Sequence, residues 1–162
     1  MPDLNFIKKL GISGNKIDLK TIVGSDSHIV SQGGADRINQ GVHKTTILII
    51  DDESDICYLL SGILKQKNIQ SVFAFSLSEA NDIIAHSDDF SFIFLDNHLP
   101  DGAGINYIRQ IKKNCPLCKI IMITAHDNQA DRDKACYEGA DYFIGKPFSG
   151  DLILRAIDRL SA

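Results

Sequence analysis

Between residues 45 and 162 hydrophobic positions alternate between two patterns. Short continuous apolar runs occur at Thr46-Ile47-Leu48-Ile49-Ile50, Ser71-Val72-Phe73-Ala74, Phe90-Ser91-Phe92-Ile93-Phe94-Leu95, Lys119-Ile120-Ile121-Met122-Ile123 and Asp141-Tyr142-Phe143-Ile144. Their β-branched and aromatic content predicts strands, and strands apolar on both faces are buried on both. Between them the period lengthens. Ile56, Leu59, Leu60, Ile63 and Leu64 recur at i, i+3, i+4, i+7 and i+8, which predicts a helix over 54–68 with Cys57 on its apolar side. Ser76-Leu77-Ser78-Glu79 has the spacing of a capping box and opens a helix bearing Ala80, Ile83 and Ile84. Ile105, Ile108 and Ile111 mark the next helix, after Gly104. Asn128 to Glu138 is helical but poorly amphipathic, with Ala130 and Ala135 as its small apolar positions, and Gly139 closes it. Leu152, Ile153, Ala156, Ile157 and Leu160 stripe the last helix.

Five such strand–helix units predict a parallel sheet covered on both faces, with right-handed crossovers. The expected fold is α/β: a doubly wound, five-stranded, flavodoxin-like sheet of order 2-1-3-4-5. Sites in such sheets form beyond the carboxyl ends of the strands, where strand order reverses.

Residues 1–44 read differently. They hold six of the 12 glycines, and their apolar residues are scattered. Ile17, Leu19 and Val23 allow a marginal hairpin, and Phe6 to Leu10 one helical turn. The division expected is an N-terminal extension over 1–44, flexible or partly ordered, and a domain over 45–162.

Charge and composition narrow the function. A net charge of −4 gives no reason to expect nucleic acid or an anionic membrane as partner. Neither an 18-residue apolar run nor a basic-then-apolar N-terminus is present, so a cytoplasmic location is expected. Of the four cysteines, Cys57 and Cys136 are expected to be buried thiols. Cys115 and Cys118 form a C-x-x-C without a second ligand pair at zinc spacing, and are expected to be plain loop cysteines.

The chemistry lies at the strand ends. The first strand stops at Asp51-Asp52, the third at Asp96, the fourth at Thr124-Ala125, and the fifth runs into Gly145-Lys146-Pro147-Phe148. In the expected order these ends converge. Three clustered carboxylates repel one another, and one lysine cannot neutralise them. A hard dication can, and Mg²⁺ suits carboxylates, water and a phosphate. Phosphoryl transfer needs positioning, charge neutralisation and an in-line nucleophile, and Asp96 can form an acyl phosphate. Taken singly, each residue has a plain reading: Asp51-Asp52 or Asp96 as a helix cap, Lys146-Pro147 as an ordinary loop. Their joint appearance at successive strand ends carries the argument.

These stretches resemble the receiver domain of bacterial two-component response regulators: Ile47-Leu48-Ile49-Ile50-Asp51-Asp52-Glu53, Phe94-Leu95-Asp96-Asn97-His98-Leu99-Pro100-Asp101-Gly102, Ile123-Thr124-Ala125, and Gly139 through Phe148. The resemblance implies Asp96 as phosphoacceptor; Asp51, Asp52, Asp96 and the His98 main-chain carbonyl as Mg²⁺ ligands; and Thr124 and Lys146 as phosphoryl contacts. It implies a cis Lys146–Pro147 bond, and a switch in which Thr124 swings toward the phosphate, Phe143 rotates inward, and the surface around the fourth helix and fifth strand changes. His98 and His126 stand at two positions that tune dephosphorylation in the family. They are expected to modulate acyl-phosphate hydrolysis near pH 6–7, where histidine titrates. Implied partners are a histidine kinase or histidine phosphotransfer protein and a downstream protein target, the chain being a monomer or a phosphorylation-dependent dimer and not an enzyme in the ordinary sense.

Three features depart from the family pattern. Phe143 lacks the commoner tyrosine hydroxyl, Ala103 replaces an often polar residue, and Gly145 replaces a larger apolar one, which is expected to loosen the lysine loop. The sequence ends at Ala162, just after the last helix; a stand-alone receiver and a fragment of a longer regulator both fit. Rival readings are a degenerate receiver acting unphosphorylated as an interaction module, a haloacid-dehalogenase-like phosphatase and a flavin binder. The phosphatase would want a second Asp where His98 stands. The flavin binder would want a phosphate loop where Asp51-Asp52-Glu53 would repel one.

Overall fold

The computed structural model describes residues 45–87 and 90–162. The extension, hairpin and helical turn expected within 1–44 lie outside the described residues. In chain order the elements are β1 (Thr46–Ile50), α1 (Ser54–Lys65), β2 (Gln70–Ala74), α2 (Leu77–His86), β3 (Phe90–Leu95), α3 (Ile108–Asn114), β4 (Lys119–Thr124), α4 (Gln129–Glu138), β5 (Tyr142–Gly145) and α5 (Gly150–Ser161). Between β3 and α3 lie a small antiparallel ladder, His98–Leu99 against Gly102–Ala103, and a 3₁₀ turn, Gly104–Asn106.

The sheet is parallel with order β2-β1-β3-β4-β5, as expected. Side chains of each strand alternate between two cores. From β1, Ile47 and Ile49 join α1 and α5, while Leu48 and Ile50 join α2, α3 and Ala135 of α4. Both faces are thereby covered, which explains why β1 is buried at all five positions.

Two burial expectations are corrected. Leu59 is 51 % exposed, because the buried stripe of α1 is Cys57, Leu60, Ile63 and Leu64. At 100° per residue those four fall on an arc of about 120°, and Leu59 lies outside it. Cys136 is exposed for the same reason: its neighbour Ala135 occupies the inward position of α4. Cys57, Cys115 and Cys118 are buried. Boundaries also move slightly. The first helix ends at Lys65 rather than 68, and Asp141 precedes β5.

The caps follow the sequence signals. Ser76 Oγ accepts the Glu79 amide at 3.1 Å, and Glu79 Oε2 reaches back to the Phe75 amide at 2.8 Å. Gly139 takes the left-handed conformation, φ 108°, and its amide bonds the Ala135 and Cys136 carbonyls. Asp101 adds a cap that the sequence reading missed: its two oxygens accept the Leu77 and Ser78 amides, both at 2.8 Å. Burial opposes ionisation of Asp101, but those two amides outweigh it and hold the carboxyl below its ordinary range.

Among the described residues, no helix is long and apolar enough to cross a membrane.

Candidate phosphoryl-acceptor site

Main-chain bonds at the carboxyl edge set the strand ends side by side. The Asp51 amide donates to the Ala74 carbonyl at 3.1 Å, the Asp96 amide to Ile50 at 2.8 Å and the Lys146 amide to Thr124 at 2.8 Å. Register pairs Ile50 with Leu95, Leu95 with Met122 and Thr124 with Gly145. Each chemical residue therefore begins where its ladder ends.

The side chains meet at Lys146. Its Nζ lies 2.9 Å from Asp51 Oδ2, 3.1 Å from Asp96 Oδ1 and 2.9 Å from Glu53 Oε1. Asp51 and Asp96 are only 2 % and 4 % exposed. Burying charges at this depth is tolerable only when they are paired. One ammonium is shared among three carboxylates, and the titration directions follow from that ratio. Burial raises the Asp51 carboxyl, and the partial claim it holds on Lys146 and on the Glu53 amide does not cancel the rise. Burial pulls Lys146 down, but bonds to Asp51 and Glu53 and the charge of Asp96 outweigh it and hold the ammonium above the ordinary lysine range. The lysine collects three attractions, whereas each carboxylate receives a share of one.

Asp96 is oriented from two sides. Its Oδ2 accepts the His98 amide at 2.5 Å, and its Oδ1 faces the ammonium. Behind it, a Cβ built on Gly104 would stand 2.0 Å from the Asp96 carbonyl oxygen. Gly104 is thus the residue that lets the chain fold back under Asp96. The Asn97 Oδ1 accepts the Ile105 amide at 3.0 Å and closes the same loop. Thr124 is buried at the end of β4, its Oγ1 accepting the His126 amide at 3.3 Å. The rings of His98 and His126 lie 4.6 Å apart, centre to centre, with planes tilted by 40°.

The sequence placed these groups at strand ends, and Asp51, Asp96 and Lys146 do come together. Asp52 is exposed and outside the lysine's bonds, so the carboxylate that joins Asp51 and Asp96 there is Glu53. Its signal in the sequence was only adjacency. The Lys146–Pro147 bond is cis, as expected. Gly145 leaves room for a neighbour. A Cβ there would meet Asp127 Oδ2 at 2.6 Å, and Asp127 forms a two-pronged pair with Arg132 at 2.5 and 2.6 Å. The Arg132 guanidinium lies 4.9 Å over the Phe143 ring. That arrangement holds the half-buried ring from outside.

A dication fits the donors present. The site offers hard carboxylate oxygens in excess over positive charge. Among the described residues no three His, Cys, Asp or Glu side chains are grouped at metal-holding spacing. Mg²⁺ needs no more than one or two carboxylates when it keeps waters. Asp51 and Asp96 supply two, with Asp52 at the rim and the main chain of His98 beside them.

Comparison with known proteins gives a consistent result. The family model described as "Response regulator receiver domain" matches residues 47–158. Response regulator protein PilR of Pseudomonas aeruginosa is 33 % identical over 100 residues, covering 62 % of this chain and 22 % of PilR, so the chain spans under a quarter of that relative. Among solved structures, a two-component response regulator from Clostridium difficile shares 28 % identity at TM-score 0.69, covering 72 % of this chain and 95 % of that one. The beryllofluoride-activated NtrC4 receiver domain dimer shares 37 % at TM-score 0.67, covering 71 % and 94 %. A response regulator from Burkholderia pseudomallei, solved with a phosphorylated aspartic acid, calcium ion and citrate, shares 26 % at TM-score 0.67, covering 72 % and 69 %.

Proposed function

Because the chain belongs to the response regulator receiver family, we propose that residues 45–162 act as a receiver domain in which Asp96 accepts a phosphoryl group, residues 1–44 being an extension outside it. The observation that carries this reading is the shared lysine: Lys146 Nζ joins the buried carboxylates of Asp51 and Asp96 across three strand ends. The phosphorylated aspartic acid and calcium ion in the Burkholderia neighbour support it.

The chain's own groups divide the work. The His98 amide on Oδ2 fixes the carboxylate, leaving Oδ1 to attack phosphorus. The P–O bond to Asp96 forms as the bond from phosphorus to the donor's leaving group breaks. Lys146 then exchanges a carboxylate partner for a phosphoryl oxygen, and the Thr124 hydroxyl donates to another. Asp51, Asp52, Asp96 and the His98 carbonyl would hold Mg²⁺, which neutralises charge on the transferring group. Positioning and charge neutralisation, rather than a separate acid or base, carry the transfer. His98 and His126, side by side at the rim, tune the later hydrolysis of the acyl phosphate. Thr124 and Phe143 form the switch, and the surface of α4 and β5 reads it out.

The donor would be a histidine kinase or histidine phosphotransfer protein in the cytoplasm, with a protein target downstream. The NtrC4 receiver dimer supports dimerisation on phosphorylation. Incubating the chain with acetyl phosphate and Mg²⁺ tests the acceptor directly by intact mass. One labile phosphoryl group is expected, abolished by Asp96→Ala. An unmodified wild type would reject the mechanism and leave the fold standing.

A further inference from the structure

Two histidines stand at the rim of the acceptor pocket, each two residues beyond a side chain of the site. Their backbones are pinned in the same way. The His98 amide donates to Asp96 Oδ2 at 2.5 Å, and the His126 amide donates to Thr124 Oγ1 at 3.3 Å. His98 is further held by the short ladder, where it pairs with Ala103. β3 and β4 are neighbours in the sheet, so these two anchored loops deliver their imidazoles to one place. Both residues are exposed, and their ring centres are 4.6 Å apart.

That separation has a chemical meaning. Two imidazoles on one Zn²⁺, at metal–nitrogen distances of about 2.0–2.1 Å, place their ring centres roughly 4.5–5.2 Å apart for angles at the metal of about 90–110°. The observed spacing of 4.6 Å, with the ring planes tilted by 40°, lies at the narrow end of this range. Electrostatics favour a cation too. Asp51, Glu53 and Asp96 gather three carboxylates around the single ammonium of Lys146.

We propose that His98 and His126 form a second cation site, selective for a borderline divalent transition metal such as Zn²⁺, completed by water. Ligand type separates it from the pocket below. Imidazole suits Zn²⁺, while the carboxylates of Asp51 and Asp96 suit Mg²⁺. The metal bridges the loops that follow β3 and β4 and covers the approach to Asp96. Occupancy therefore slows phosphoryl uptake, a consequence that rests on the acceptor reading, whereas the binding site itself does not.

The test is Zn²⁺ binding to the full chain in saturating Mg²⁺ at pH 7.5, measured by calorimetry, with the histidine Cε1 proton lines followed by NMR. Binding of one Zn²⁺ is expected to weaken at least tenfold in His98→Ala and in His126→Ala. It is expected to stay within twofold in Asp96→Asn and in Cys118→Ser. In the wild type, two histidine lines shift and both are absent from the His98→Ala/His126→Ala double variant. Zn²⁺ held equally by that double variant, or lost with Asp96 or Cys118, overturns the site. Zn²⁺ is expected to slow uptake from acetyl phosphate in the wild type and not in the double variant; equal slowing in both overturns the covering role. A chain that binds Zn²⁺ through its histidines but takes no phosphoryl group without Zn²⁺ keeps the site and rejects the acceptor.

Discussion

Gly104 is the residue whose side chain, by its absence, shapes the site most. Its α-carbon lies against the Asp96 main chain, and a methyl group at 2.0 Å from the Asp96 carbonyl has nowhere to go, since the obstacle is backbone. Gly104→Ala is expected to destabilise the fold by at least about 1–3 kcal/mol, the usual range for forced overpacking. Denaturant unfolding checks this, and a variant as stable as wild type would mean the loop relaxes freely. The cysteines give a second residue-scale expectation. Burial pushes the thiols of Cys57 and Cys118 up to about 12, far from thiolate formation at neutral pH, while Cys136 is exposed. In the native state a thiol reagent at pH 7.5 should label one site, Cys136; all four should label in denaturant.

At the scale of elements, the helices differ in how firmly they are held. α1 buries Cys57, Leu60, Ile63 and Leu64, and α5 buries Ile153, Ala156 and Ile157, whereas α4 buries Ala135 alone. α4 keeps its ends by local chemistry instead: Asn128 Oδ1 accepts the Asp131 amide at 2.9 Å, and Gly139 closes the other end. Elements with few apolar contacts open at low free-energy cost. Native-state hydrogen exchange should therefore show α4 amides exchanging faster than those of α1 and α5. Equal protection across the three helices would remove the physical basis for α4 as the moving part of the switch.

Across the whole molecule the two edges of the sheet have opposite tasks. The carboxyl edge crowds acidic groups around one lysine, at a cost to stability. The amino edge holds a satisfied network at Asp141. Its oxygens accept from Lys112 Nζ at 2.6 Å, Lys119 Nζ at 3.2 Å and the Ile120 amide at 2.9 Å, tying α3, β4 and the start of β5. Burial works against the Asp141 charge, but these donors outweigh it and lower the carboxyl's pKa. A carboxylate lowered on folding stabilises the native state above its unfolded pKa of about 3.9, and that contribution disappears as pH falls through the folded value. Asp141→Asn should therefore lose stability at pH 7 by about 1–3 kcal/mol, with the gap to wild type narrowing in acid below pH 4. A gap independent of pH would assign the loss to geometry rather than charge.

The sequence alone determined the order of elements, the parallel sheet and the residues at its carboxyl edge. Continuous apolar strands permit only a doubly covered sheet, and strand ends are countable along the chain. It also indicated Gly139 and the Ser76–Glu79 cap, whose signals are local. What only the tertiary structure decided were relations between distant segments. That Glu53 joins Lys146 while Asp52 faces outward depends on the turn of the chain after β1. That Gly104 is needed under Asp96, that Asp101 caps α2 and that Asp127 fills the space at Gly145 depends on close approach of backbones far apart in sequence. Periodicity reports which face of an element is apolar; it carries no information about which neighbour that face, or a polar tip beside it, will meet.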